Sequence, residues 1–158
     1  MKRSLMAALL VVAAAASASA QTATQTVTIQ VDAINLIAVA GTPSLTITAA
    51  VAGGAPTSVT STGNTWAVTT NQTGAKITAS IPTAMPTGVT LSANMAAPTN
   101  GTSAGYQSLG TSAVDLVTSI TKLNETGLTL SYKLDATSAA GTLSSTTRVV
   151  TFTITGGV

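Results

Sequence analysis

Asp32, Asp115, Glu125 and Asp135 are the only acids in the chain, and the chain contains neither histidine nor cysteine. That combination narrows the available chemistry sharply. Ser-His-Asp and Cys-His nucleophilic sites need an imidazole as base, and structural or catalytic zinc needs thiolate or imidazole ligands. A pair of carboxylates, for example Asp115 with Glu125, could in principle cleave a glycosidic bond. The four acids are scattered, however, and read as solvated charges in loops and strands. Their spacing has no calcium-loop pattern. The sequence thus predicts a protein that is not an enzyme, with no catalytic residues, no cofactor and no metal.

The aromatic residues offer the other route to a site. Trp66 is the single tryptophan. Exposed on a sheet, it could stack on a sugar ring. Val68 and Thr70 share its face at period two, which reads better as a core anchor. Tyr132 lies among Leu128, Leu130 and Leu134 and is predicted to be core. Tyr106, in a Gly/Ser-rich stretch, is the candidate for an exposed contact. Asn71, Asn100 and Asn124 each begin an Asn-x-Thr triplet, the acceptor pattern for N-glycosylation, but all three also sit in turn signals, where Asn is favoured for its own reasons.

The elements that would position these residues are strands. From Gln21 onward the chain is rich in Thr, Val, Ile and Ala, punctuated by Gly and Pro. Period-two alternation recurs at Val27/Ile29/Val31, Leu45/Ile47/Ala49/Val51, Trp66/Val68/Thr70, Ile77/Ala79/Ile81, Val89/Leu91/Ala93, Leu128 to Leu134 and Val150/Phe152/Ile154. Outward Thr suits a pleated surface. Ser112 with Asp115 resembles a capping box and Val114, Val117 and Ile120 could share a helical face; that short, β-branched stretch fits a loop or strand equally well. Turn signals at intervals of about 8–12 residues predict an all-β fold: a single β-sandwich, Ig-like or jelly-roll, of roughly eight to ten short antiparallel strands.

The N-terminus predicts export. Lys2 and Arg3 precede an uncharged apolar run from Leu5 to Ala16, and Ala18-Ser19-Ala20 is a small-residue cleavage site. Residues 1–20 therefore read as a Sec-type signal peptide, too short in its apolar part to span a membrane. Residues 21–32 follow as an N-terminal arm and first strand, and 33–158 as the sandwich domain. Cleavage also removes two of the six cations. Lys76, Lys122, Lys133 and Arg148 then face four acids, so the mature net charge is zero. The basic character of the whole chain belongs to its leader, and no Lys/Arg cluster exists to track phosphates, which argues against nucleic acid. No membrane span is expected after cleavage. Zero net charge removes the repulsion that keeps copies apart.

The arm is the most informative segment. Gln21–Val31 carries a polar lead, then Val27, Ile29 and Val31 in strict alternation, and Asp32-Ala33 resets the phase. Such a strand can pair within its own domain or complete the open sheet of a neighbour. Signal peptide, alternating arm, Thr/Ala/Gly-rich sandwich and alternating last strand together resemble secreted pilus subunits that assemble by donor-strand complementation. The disulfide that many chaperone–usher pilins carry has no counterpart here. The resemblance implies a structural subunit of an extracellular filament or surface assembly (a fimbrium at the cell surface), polymerising with copies of itself through an assembly strand of Val27, Ile29 and Val31. The alternative expectation is a monomeric secreted β-sandwich module that binds a carbohydrate or another surface ligand.

Overall fold

The computed structural model describes residues 20–158, so nearly all of the expected signal peptide lies outside the described residues. The chain divides between Val31 and Asp32. In the first unit, residues 21–31 are exposed and form no strand ladder, although their alternation predicts a strand.

The second unit is all-β. Its strands are β1 (Asn35–Ala40), β2 (Val59–Thr60), β3 (Asn64–Ser80), β4 (Val89–Met95), β5 (Thr102–Ser103), β6 (Gln107–Ser108), β7 (Val114–Ala136) and β8 (Thr151–Thr155). A single 3-10 turn at Ser138–Ala140 interrupts the pattern. Every ladder is antiparallel, and all eight strands belong to one hydrogen-bonded sheet. The stretch that could have been helical, Ser112 to Ile120, lies largely in β7, where its β-branched Val and Ile pack better on a pleat than on a helix.

Two long strands organise the sheet. The first part of β3 pairs with β1 on one side and with Leu123–Leu130 of β7 on the other; its second part pairs with β8 and with Val114–Thr121 of β7. The β3–β7 register shifts between Thr70 and Thr73 and again between Thr73 and Ala75. Opposite that bend, Ser119 (φ 57) and Lys122 (φ 39) of β7 adopt left-handed conformations. Extra residues on one strand of a ladder bend it and raise its twist, so both strands turn here without ending. A smaller irregularity separates β2 from β3 at Thr62-Gly63. The Ser61 N–H donates to the Tyr132 carbonyl, while the Ser61 hydroxyl oxygen accepts from the Tyr132 N–H and from Asn64 Nδ2. These buried polar groups are thereby satisfied, as they must be.

One core serves both parts of the sheet. It comprises Trp66 and Val68, then Ala75, Ile77, Ala79 and Ile81, with Leu91, Ala93, Met95, Leu109, Leu116, Val117, Ile120, Leu130 and Tyr132. Each fully buried Ile or Leu contributes about 1.5–3 kcal/mol, and with no disulfide available this packing and the ladders carry the fold. The expected strand at Leu45–Val51 does not form: apart from one bridge, Ala50 to Pro56, residues 41–58 carry no ladder. Leu45 still packs against the core, so the alternation marked a face without a strand ladder.

Candidate functional site

The acids do not converge on a reaction centre. Asp115 forms an exposed ion pair with Lys76 at 3.1 Å, and Asp135 a similar one with Lys133 at 3.1 Å. Glu125 accepts from the Thr99 backbone N–H with both carboxylate oxygens, at 2.9 and 3.1 Å, and so ties the Pro98–Gly101 turn to β7. The Ser58 hydroxyl donates to Asp135, and this bond, with Lys133 beside it, holds the Asp135 carboxyl below the usual carboxylate range. Among the described residues no three acids gather as a metal site would need.

Of the aromatic candidates, Trp66 is 1% exposed and belongs to the core. Tyr132 is buried as well, and burial pushes its phenol up from the ordinary tyrosine value. Tyr106 is exposed, between β5 and β6. A shallow depression of about 410 Å³ lies at the bend, lined by Ile34, Thr69, Thr70, Asn71, Lys122, Leu123 and Asn124. Much of its polar lining is already engaged. Thr70 Oγ1 donates to Asn35 Oδ1, and Asn35 Nδ2 donates to Gln72 Oε1. Asn71 Oδ1 accepts from the Ile34 N–H, and Asn71 Nδ2 donates to the Asp32 carbonyl at 2.7 Å. A glycan on Asn71 would take over the nitrogen that makes this last bond. The cluster instead fixes the chain where the arm begins, a role that the Asn-x-Thr pattern gave no means of seeing.

What the fold leaves open is a sheet edge. Its other side is stitched shut: the Leu109 N–H donates to Leu91 O, Ile81 N–H to Gly110 O, Ala104 N–H to Leu116 O, and the Ser103 hydroxyl to Asn94 Oδ1. Along the free side of β3, β1 and β8 lie end to end, and among the described residues β3 is the only strand either of them pairs with. Neither β1 (NLIAVA) nor β8 (TFTIT) contains a charge or a proline, the usual devices that keep an edge from pairing with another chain. Core-facing Ile37, Phe152 and Ile154 stay half-exposed there, and Val39, opposite Trp66, is exposed. In the arm, Val27, Ile29 and Val31 are 71, 88 and 82% exposed. Sequence patterning identified the arm; it could not identify the edge, because edge status depends on which strands fail to find a second neighbour. No protein-family model, curated protein or solved structure matches the chain.

Proposed function

We propose that the protein is a structural subunit of an extracellular filament or surface assembly, exported by its N-terminal signal and polymerised by β-strand addition through residues 24–31. The observation that carries this reading is an arm with strand patterning, three exposed apolar side chains and no strand ladder, in a chain that also has an uncharged free sheet edge. The zero net charge of the mature chain supports it, since copies approach without repulsion.

Energetics set what the arm must do. Burying Val27, Ile29 and Val31 yields roughly 5–9 kcal/mol at about 1.5–3 kcal/mol each. Ordering eight backbone residues costs about 8–16 kcal/mol. Ladder hydrogen bonds, at about 0.5–1.5 kcal/mol net each, have to make up the difference. With so small a margin, all three apolar side chains are needed at once.

Deleting residues 21–31, or introducing Ile29→Asp alone, should leave a folded monomer where the intact mature protein forms large species by light scattering and electron microscopy. Normal assembly of the deleted protein would refute the reading. A compact intact monomer would refute it too, in favour of a secreted binding module, with Tyr106 as the first contact to test.

A further inference from the structure

The free edge offers two strands, β1 and β8, and their side-chain patterns differ in a way that selects between them. β8 alternates strictly: Thr151, Thr153 and Thr155 point outward and are exposed, while Phe152 and Ile154 are half-buried against the core. Val150, just before it, is half-buried against the same core. The arm has the same design, with Val27, Ile29 and Val31 on one face and Thr26, Thr28 and Gln30 on the other. Three apolar positions thus meet three apolar positions, and a polar row meets a Thr row. β1 is apolar on both faces: Ile37 and Val39 stand opposite core residues, and Leu36 and Ala38 lie on the outer face. An arm added there would set its Thr and Gln against Leu36 and Ala38. Of the cations near β8, Lys76, opposite Thr155 on β3, is paired with Asp115, and Arg148 turns back onto Thr146 and Thr147, so β8 itself carries no charge.

We propose that β8 is the acceptor for the arm of a second copy, in an antiparallel register that sets Val27 opposite Ile154, Ile29 opposite Phe152 and Val31 opposite Val150. This assignment rests on the strand-addition function proposed above. The same register places Thr28 opposite Thr153 and Thr26 opposite Thr155 on the solvent face, where Thr–Thr pairs are favourable. The occupant is a second copy because of strand direction. The arm's root, Asp32, is held by Asn71, and Val158, just past the end of β8, is paired with Thr73 by hydrogen bonds of 2.9 and 3.0 Å. An arm leaving that point along its own β8 would run parallel to it, and a separate copy has no such constraint. The match is set by period two, so a slip of one residue would turn the apolar row of the arm to water.

The cysteine-free chain makes the register directly testable. Two single-cysteine forms of the mature protein, Thr28→Cys and Thr153→Cys, are mixed, allowed to assemble and mildly oxidised. Directly opposed residues in an antiparallel ladder lie within disulfide reach. Both positions are exposed, and the pair Thr26→Cys with Thr155→Cys provides a second test of the same register. The expected result is a disulfide between copies for both pairs, with little for Thr28→Cys mixed with Ala38→Cys. Assembly that links position 28 to position 38 instead would overturn the acceptor assignment and leave strand addition standing. A 28–153 link found only within single chains of the double variant would overturn the role of the second copy. Failure of both mixtures to assemble would remove the strand-addition reading and this assignment together.

Discussion

Trp66 offers a quantitative test of the core, because it is both its largest residue and its one imperfection. The ring is 1% exposed, yet its Nε1–H has no hydrogen-bond partner. A buried tryptophan withdraws about 150–250 Å² from water, worth roughly 4–6 kcal/mol at about 25 cal/mol per Å². An orphaned buried N–H returns about 1–3 kcal/mol of that. Trp66→Ala, which loses the ring and leaves a cavity, should destabilise the protein by about 3–5 kcal/mol. Trp66→Phe gives up roughly a third of the buried area but also removes the unpaired donor. The two terms nearly cancel, and the variant should fall within about 1 kcal/mol of the parent. Urea unfolding followed by far-ultraviolet circular dichroism measures both, using the Ile29→Asp form so that assembly does not intrude. Trp66→Phe as damaging as Trp66→Ala would show that the indole N–H is bonded or that its volume is irreplaceable. A near-neutral Trp66→Ala would place the ring outside the core.

Two further predictions probe other parts of the fold. A Cβ at Gly157 would collide with the Thr73 carbonyl, so Gly157→Ala should break the Thr73–Val158 pair and cost at least about 2 kcal/mol by urea titration, whereas Gly110→Ala, with open space around it, should be neutral or slightly stabilising; equal effects would refute the close approach. Asp135 titrates below the usual carboxylate range because the Ser58 hydroxyl, and secondarily Lys133, favour its charged form. Its contribution to stability is therefore present at neutral pH and lost as pH falls through the lowered folded value. Ser58→Ala should raise that pKa toward the ordinary value in a carbon-13 NMR titration, and an unmoved pKa would mean that the hydroxyl is not the cause.

The proposed assembly site was legible in the sequence only in its donor half. Val27, Ile29 and Val31 declare a strand with one apolar face, but whether that face has a partner in its own chain is not written in them. The edge proposed as acceptor emerges from β3 and β7. Asn71-Gln72-Thr73-Gly74 reads as a turn between two strands, yet β3 runs through it as a bend. β7 likewise continues past the Asn124 turn signal as one strand of 23 residues. That continuity puts β1 and β8 end to end along one edge.

Local pattern did determine the class of fold and much of its core. Trp66, Val68 and Thr70, and likewise Ile77, Ala79 and Ile81, share faces by period two, and all six are buried. Alternation is a property of neighbouring residues, dictated by the pleat, so it can be read from the chain alone. The same alternation at Leu45–Val51 produced no ladder, and at Val150–Ile154 it belongs to a strand with one neighbour. A ladder needs a second strand at hydrogen-bonding distance, and which one arrives is decided by bulges, bends and closure entropy across the whole chain. Composition and spacing thus determined which side chains face inward, and the tertiary structure alone decided which backbone groups were left without a strand to pair with.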